Sequence, residues 1–314
     1  MQRWGQTTAG KVRYRCLRCR VSSTWKRPDI GKQYFRLFLR YLIKTTSLNE
    51  LAHYHHLTRR TLIRQFSPYW LVAPLPIVIP IRDTLILDAT YLAGRREAVL
   101  VARTPQAVIC WGFALHENQA AWELLLSQIR GTPRAIVCDG QKGLLKAVGA
   151  CYPQTPIQRC LKHVKQGVQN KLSTHPKTAA GKELYQMSKQ ITNVRTRRQK
   201  RRWVRQFKRW IKRYAPFLNE RSQGIMSSGR KHSWYTHGRL RGAKSILLRA
   251  LPHLFTFVGH YEIPRTSNHI EGGINARLKE LLRNHRGMPL WKKQILCAYF
   301  LRTKQRRKPT RNVT

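Results

Sequence analysis

Carboxylates are scarce in this chain of 314 residues, which has 13 Asp and Glu against 61 Lys and Arg. Two Asp residues follow apolar runs, since Asp88 comes after Leu-Ile-Leu and Asp139 comes after Ala-Ile-Val-Cys. A buried carboxylate is costly unless it is paired or binds a metal ion. Both residues are therefore candidate metal ligands, although an Asp followed by Gly, as at Asp139, is also a common turn signal.

Glu271 is the candidate for a third ligand, because it lies near the N-terminus of a predicted helix, beside an apolar face. That face consists of Ile270, Ile274, Leu278 and Leu281. Carboxylate oxygens select Mg²⁺ or Mn²⁺ over zinc. The simpler explanation of Glu271 is that it complements the dipole of its helix. Three other Glu residues lie on helix surfaces by periodicity and are weaker candidates: Glu117, Glu123 and Glu280.

The segments around the two Asp residues predict a mixed sheet over residues 80–169. Three apolar runs of strand length, residues 84–92, 96–104 and 107–115, are joined by short polar connections, which favours an antiparallel meander. A helix capped by Asn118, a strand that ends at Asp139 and further helices follow. This order is typical of a mixed sheet with crossover helices, which brings both carboxylates to neighbouring strands.

Residues 28–72 predict helices with the spacing of a helix-turn-helix, and an ordinary helical hairpin is the alternative. Thr58 is the expected N-cap of the second short helix, and His56 stands in the turn where glycine is usual. The residues expected on the inner faces are Leu48, Leu51, Ala52, Leu62 and Ile63. The residues expected to point outward, toward DNA, are Arg59, Arg60 and Arg64.

Residues 1–27 contain Cys16 and Cys19 as a C-x-x-C pair, which supplies half of the four ligands of a structural zinc site. The other pair is expected upstream, but the sequence begins at Met1. We therefore expect at most half of a zinc site in this segment. Its two thiols either complete a zinc site with further ligands or are free thiols in a basic β-knuckle.

Residues 170–258 predict an all-helical, basic insertion. Residues 195–213 hold 11 Lys or Arg, and an apolar stripe recurs on the same helix at Trp203, Phe207, Trp210 and Tyr214. The stripe is expected to face a core, and the basic face is too dense to serve solvation alone. Trp234 either stacks on an exposed base or is buried. The candidates for phosphate contacts are Arg201, Arg202, Arg205 and Arg209. Helices over 259–302 and a basic tail over 303–314 follow.

The formal net charge of +48 requires a polyanionic partner, and DNA is the obvious one. No apolar run is long enough to span a bilayer, and the N-terminus lacks the apolar core of a signal peptide. The seven Cys are scattered and odd in number, so a disulfide framework is not expected. These features predict a cytoplasmic, nucleoid-associated protein without a membrane partner.

Four motifs, taken in order, resemble a known family: LDATYL, CDGQKGL, QRCLKHV and TSNHIEGG. Together they are similar to the DDE transposases of bacterial insertion sequences, in the Mutator-like group. The resemblance covers roughly residues 80–300 and the N-terminal arrangement. It implies that Asp88, Asp139 and Glu271 form the catalytic triad, and that Cys160 and His163 are the C-x-x-H signature of the group.

The resemblance implies a fold, a reaction and partners. The fold is α/β, a ribonuclease H-like mixed sheet with an all-α insertion, preceded by a partial zinc ribbon and a helix-turn-helix. The reaction is cleavage and transfer of DNA strands, with two Mg²⁺ or Mn²⁺ ions held by the triad. The partners are the terminal inverted repeats, the target DNA and other copies of the chain.

Two other functions stay open at this point. A non-catalytic DNA-binding regulator or an inactive remnant would need only the helix-turn-helix and the basic surface. A ribonuclease H-like nuclease would cut DNA without joining it. Cys160 and His163 have two interpretations as well, since they either tie the sheet to the next helix or place His163 at the scissile phosphate.

Overall fold

The structure is a computed structural model that describes residues 1–24, 28–44, 46–92, 97–225, 231–260, 262–267 and 271–305, apart from the side chains at 28, 29, 271 and 272. The chain forms two compact units. The first comprises residues 1–74 and 283–287, and the second comprises residues 75–282 and 288 onward. Each unit is described by itself.

The first unit begins with a small antiparallel sheet of order β1-β2-β3. Its strands are β1 (Gln2–Gln6), β2 (Val12–Arg15) and β3 (Ser22–Thr24). Cys16 and Cys19 lie between β2 and β3, and both are free thiols. Hydrogen bonds from Cys19 and from the backbone of Arg18 lower the pKa of the Cys16 thiol. These donors favour a thiolate at Cys16, so the turn suits a metal ligand as well as a free thiol.

Three helices follow in the first unit: α1 (Pro28–Ile43), α2 (Leu48–Tyr54) and α3 (Arg59–Phe66), and a 3₁₀ turn at Ser67–Trp70 ends the group. Ser47 and Glu50 form a capping box on α2, and the Thr58 side chain caps α3 as predicted. Their core contains Phe38, Leu42, Leu51, Leu62 and Phe66.

The prediction that Ile63 lies inside is wrong, because the structure leaves this side chain 51% exposed. Leu62 and Phe66 share the buried face of α3, and one step along an α-helix rotates the next side chain by about 100° away from that face. Leu48, also expected inside, is only partly buried.

The second unit is built on a five-stranded sheet of order β6-β5-β4-β7-β8. Its strands are β4 (Leu85–Leu92), β5 (Glu97–Arg103), β6 (Val108–Ala114), β7 (Ile136–Cys138) and β8 (Ile157–Arg159). Strands β4, β5 and β6 are an antiparallel meander, whereas β7 and β8 run parallel to β4. The prediction of a mixed α/β sheet is confirmed.

Helices α4 (Gln119–Ser127) and α5 (Lys142–Cys151) make the crossovers and cover one face of the sheet. Asn118 caps α4 as predicted, through a hydrogen bond of 2.9 Å from the Ala121 amide. Leu85 and Leu87 of β4 pack with Trp122 and Leu144 of the two helices in one apolar cluster. Since side chains alternate along a strand, Ile86 and Asp88 point to the opposite face.

A largely helical region follows β8. Its helices are α6 (Leu161–Leu172), α7 (Ala179–Gln190), α8 (Arg197–Arg213), α9 (Ala215–Asn219) and α10 (Gly238–Ala250), with 3₁₀ turns at Ile191–Asn193 and Leu251–His253. Trp203, Phe207 and Trp210 of the predicted apolar stripe are buried, whereas Tyr214, just after α8, is only partly buried. The indole N–H groups of Trp203 and Trp210 donate to the Met187 and Ala180 carbonyls of α7.

The expectation of an all-helical insertion is wrong at one place. Strands β9 (Arg221–Ile225) and β10 (Lys231–Tyr235) pair as an antiparallel hairpin. Their side chains are mostly polar, and those of β10 are all exposed. The hairpin therefore lacks the alternation of apolar and polar residues by which a half-buried strand is recognised in a sequence.

The last elements are a π-helical turn (Glu271–Asn275), α11 (Ala276–Asn284) and α12 (Leu290–Thr303). Ile274, Leu278 and Leu281 are buried, in agreement with the predicted apolar face, and Ile270 lies outside the described residues. Among the helices that the structure describes, none is both long enough and apolar enough to cross a bilayer.

Candidate active site

Asp88 and Asp139 are carried by neighbouring strands of the sheet. Strands β4 and β7 are parallel neighbours, with Leu87 opposite Cys138. Asp88 and Asp139 each follow this pair by one residue, Asp88 within β4 and Asp139 directly after β7, and adjacent strands are about 4.8 Å apart. The two carboxylates that the sequence singles out therefore belong to neighbouring strands, at the C-terminal end of β7.

Asp88 is a nearly buried carboxylate, with 6% of its surface exposed. The side-chain amide of Asn275 donates a hydrogen bond of 2.9 Å to Oδ2, and the Ala89 amide donates one of 3.0 Å to Oδ1. Asn275 ends the π-helical turn that begins at Glu271. This contact links the middle of β4 to the segment that carries the third candidate ligand.

Asp139 is held by the backbone that follows it. The Gln141 amide donates to its Oδ1 at 2.9 Å, while Gln141 also caps α5. Gly140 has a φ of +80°, which permits the sharp turn between β7 and α5. The Arg159 side chain donates from Nε to the Asp139 carbonyl at 3.0 Å. The backbone is thus fixed on both sides of the carboxylate.

Glu271 begins the π-helical turn, but its side chain lies outside the described residues. Its predicted role is therefore untested, and only its backbone position, four residues before Asn275, relates it to Asp88. Within the described part of the chain, three or more His, Cys, Asp or Glu side chains do not gather around one metal position. The donors present are the carboxylate oxygens of Asp88 and Asp139, which suit a hard divalent ion such as Mg²⁺.

Glu117 is a neighbour of this site that the sequence pattern assigned to a helix surface. It lies in the connection before α4, and it accepts hydrogen bonds from the indole of Trp122 at 3.3 Å and from Tyr91 Oη at 3.4 Å. Burial and then the charge of Asp139 raise the pKa of the Glu117 carboxyl. The assignment to a helix surface is wrong because the helix begins at Gln119, two residues later.

Cys160 and His163 stand together at the start of α6. The backbone amide and hydroxyl of Ser267 both donate to the buried Cys160 sulfur at 3.3 Å. Burial opposes ionisation, but the hydrogen bond and charge of His163 and the bonds from Ser267 outweigh it and lower the pKa of the Cys160 thiol. The Leu161 amide also donates to the Arg265 carbonyl at 3.0 Å. These hydrogen bonds link residues 265–267, which precede Glu271, to the start of α6, directly after β8.

The predicted DNA-contact residues are exposed. In the first unit, these are Arg59, Arg60 and Arg64 of α3. In the second unit, they are Arg201, Arg202, Arg205 and Arg209 of α8. Trp234 of β10 is 46% exposed, which leaves its ring accessible and excludes the alternative of a buried tryptophan.

Sequence reasoning missed three groups that shape the site: Asn275, Arg159 and Ser267. Asn275 lies four residues after Glu271, whereas Arg159 and Ser267 lie inside the motifs QRCLKHV and TSNHIEGG, without a role assigned to them. Their nearness to recognised motifs was the one indication of a role in the site. The contacts of Asn275 and Ser267, however, join segments that lie more than 100 residues apart in the sequence. Such contacts follow from the tertiary structure and not from local spacing.

The comparisons with known proteins agree with the motifs. The family model for "Transposase, Mutator family" matches residues 77–226, a range that includes Asp88, Asp139, Cys160 and His163. The resemblance to Mutator-like transposases of insertion sequences is therefore confirmed over this part of the chain.

Two curated relatives are transposases by name. The chain is 34% identical to the transposase for insertion sequence element IS905 of Lactococcus lactis subsp. lactis (strain IL1403), over 29% of this chain and 27% of that protein. It is 33% identical to the transposase for insertion sequence element IS1201 of Lactobacillus helveticus, over 34% of this chain and 33% of that protein. The matches thus span about a third or less of each relative.

Proposed function

We propose that the chain is a DDE transposase that cleaves DNA at transposon ends and transfers the strands to a target. The observation that carries this proposal is that Asp88 and Asp139 each follow by one residue the pair Leu87 and Cys138, which lie opposite each other on the neighbouring parallel strands β4 and β7. The family match over the same residues supports it. A DNA-binding regulator has no use for two adjacent carboxylates in the middle of its sheet, where they cost stability.

In this proposal Asp88, Asp139 and Glu271 hold divalent ions, Mg²⁺ or Mn²⁺. Two such ions would supply electrostatic stabilisation of the attacking and leaving oxygens of a phosphodiester. Asn275 positions Asp88 through its hydrogen bond to Oδ2, and the Gln141 amide positions Asp139.

The reaction has two steps at one site. Hydrolysis breaks a phosphodiester at the transposon end and leaves a 3′-hydroxyl. That hydroxyl then attacks a phosphodiester of the target, so that one P–O bond forms as another breaks. No side-chain nucleophile is needed, because water and the 3′-hydroxyl are the attacking groups.

The basic surfaces hold the DNA during both steps. Arg59, Arg60 and Arg64 of α3 are proposed to contact the terminal repeats. The exposed arginines of α8 are proposed to contact phosphates along the strands, and exposed Trp234 offers a ring for base stacking. Because two ends must be joined, we propose that the chain acts as a homo-oligomer on DNA. Cys16 and Cys19 provide only half of a zinc site, so zinc binding by these two alone is not proposed.

The test uses labelled DNA that carries the terminal repeats, with and without Mg²⁺. A transposase yields Mg²⁺-dependent cleavage with a 3′-hydroxyl product and joins that product to a second DNA. A nuclease yields cleavage without joining, and a regulator yields binding that needs no divalent ion. Either of the last two outcomes would contradict the proposal. The variant Glu271→Gln, which keeps the size of the side chain, tests the third ligand position by the same assay.

A further inference from the structure

A cavity of about 590 Å³ opens beside the Asp139 turn in the second unit. We call it the basic cleft. Helix α5, strand β8 and helix α10 supply its walls. Its lining residues are Gly140, Lys142, Leu145, Lys146, Arg159, Ile246 and Arg249. Four of these seven residues are cationic, and the cleft adjoins Asp139 directly through Gly140.

Arg159 is the least accessible of the four cations, with 9% of its surface exposed. Its Nε donates to the Asp139 carbonyl, and Arg249 Nε donates to the Ser245 carbonyl at 3.3 Å. Among the residues that the structure describes, no carboxylate forms an ion pair with any of the four cations. Within that part of the chain, the nearly buried guanidinium therefore lines the cleft without a carboxylate at ion-pair distance.

Arg249 lines the same cleft as Arg159 and adds a second guanidinium on the α10 wall. Since a buried charge is costly unless it is paired, an anion that enters the cleft lowers the free energy of the protein.

The local backbone fixes the position of Arg159. Gly140 has a φ of +80°, and the Arg159 guanidinium occupies the space where a Cβ at residue 140 would lie. A residue with a side chain at this position would displace the guanidinium. The turn therefore combines two roles, since it presents Asp139 on one side and Arg159 on the other.

We propose that the basic cleft binds a phosphate of the DNA backbone next to the phosphodiester that is cleaved, an inference that rests on the proposed function. The planar guanidinium of Arg159 can donate hydrogen bonds to phosphate oxygens. Lys142 and Lys146 lie one helical turn apart on the same face of α5, and each adds a positive charge. The cavity volume is about twenty times the volume that one water molecule occupies in the liquid, so the cavity admits a group of the size of a nucleotide. The cleft thereby sets the path of the strand past Asp139.

The test measures how DNA affinity depends on salt, without divalent ions and with a labelled single-stranded oligothymidylate. The double variant Lys146→Ala/Arg249→Ala removes two cleft cations whose side chains are exposed, so the fold is expected to persist, and thermal unfolding checks this. The matched control Lys182→Ala/Lys279→Ala removes two exposed lysines outside the cleft. The slope of log affinity against log salt is expected to fall by about 0.7 in the cleft variant, because the cleft is proposed to hold one phosphate and each phosphate contact on a single strand contributes about 0.7.

The control is expected to change the slope by less than half as much as the cleft variant. Equal slopes in the two variants would overturn the proposal. Equal slopes in the two variants, together with binding of millimolar inorganic phosphate that only the cleft variant loses, would assign the cleft to free phosphate instead. Because binding is measured without Mg²⁺, failure of this inference is distinguishable from a failure to cleave DNA.

Discussion

At the scale of single residues, Gly140 connects the candidate active site with the basic cleft. Its positive φ and the guanidinium packed against it leave no room for a side chain. We expect Gly140→Ala to destabilise the protein by about 1–2 kcal/mol from the left-handed backbone alone, with a further loss as Arg159 is displaced. Chemical denaturation measures this change in the free energy of unfolding.

The matched control is Gly149→Ala in α5. Gly149 is exposed on the helix, and an added Cβ meets no atom within 4 Å. This substitution is expected to stabilise the protein by about 0.5–1 kcal/mol, because glycine is unfavourable inside a helix. A Gly140→Ala protein as stable as wild type would contradict the close packing described for Arg159.

Some residues of the candidate site could be recognised in the sequence, and others could not. Asp88 and Asp139 were recognisable because a carboxylate after an apolar run is unusual, and both follow the last paired residues of β4 and β7 by one position. Asn275 and Ser267 were not recognisable, because their partners lie far away in the sequence. Glu117 was misplaced because helical periodicity was extended two residues beyond the Asn118 cap.

At the scale of elements, the turn between α2 and α3 holds His56 at a φ of +52°. A residue with a Cβ pays about 1–2 kcal/mol in this left-handed region, whereas glycine does not. We therefore expect His56→Gly to raise the free energy of unfolding of the first unit by up to about 1 kcal/mol. The gain is below the full cost of the left-handed conformation, because glycine loses more conformational entropy on folding than histidine does. Thermal or chemical unfolding of the full chain measures it.

His53→Gly provides the comparison, since His53 is an exposed residue in the last turn of α2. Glycine there should destabilise the helix by about 0.5–1 kcal/mol. If both variants lower stability equally, the left-handed conformation at His56 does not carry the cost inferred here.

We expect the stability of the first unit to depend on pH through His285. His285 belongs to the first unit, where its ring meets the Tyr41 ring edge-on at 5.0 Å. Burial lowers the pKa of His285, and hydrogen bonds to the backbone of Leu42 and Tyr41 oppose it only in part. Because the fold favours the neutral ring, its contribution to stability is greatest above the unfolded pKa of about 6.5 and declines as pH falls below that value.

The stability difference between wild type and His285→Gln should therefore shift against wild type as pH falls from about 7.5 to 5.5. Denaturant titrations of both proteins at each pH measure this difference, and other histidines cancel in the comparison. A difference that is independent of pH would mean that His285 is not held neutral by its surroundings.

The elements were predicted well where apolar periodicity was strong, as in β4, β5, β6 and α8. The hairpin of β9 and β10 was missed, because exposed polar strands carry no such periodicity. Ile63 was assigned to the wrong face because a short helix offers few residues to fix the phase of its pattern. Both errors arise where burial does not constrain the sequence.

At the scale of the whole molecule, 61 basic residues against 13 acidic ones predict that the proposed DNA affinity depends strongly on salt. The triple variant Arg201→Gln/Arg205→Gln/Arg209→Gln removes three exposed cations spaced one helical turn apart on α8. We expect the slope of log affinity against log salt on duplex DNA to fall by about 2.7, at about 0.9 per lost phosphate contact.

The matching triple substitution to Lys keeps the charges and should keep most of the slope. Because all three side chains are exposed, neither variant should change thermal unfolding by more than about 0.5 kcal/mol. An unchanged slope in the Gln variant would show that this face of α8 does not contact DNA.

The most direct test of the central claim, that Asp88 and Asp139 form one metal-dependent cleavage site, compares three substitutions that each remove one negative charge. Asp88→Asn and Asp139→Asn alter the paired carboxylates, whereas Asp83→Asn alters a carboxylate just before β4 that accepts from the Thr84 amide.

The measurement is the rate of Mg²⁺-dependent cleavage of DNA that carries the terminal repeats, with DNA affinity measured in parallel. We expect Asp88→Asn and Asp139→Asn to lose about 10²- to 10³-fold or more in rate while they still bind DNA, and Asp83→Asn to cleave like wild type. Wild-type cleavage by Asp88→Asn would contradict the account.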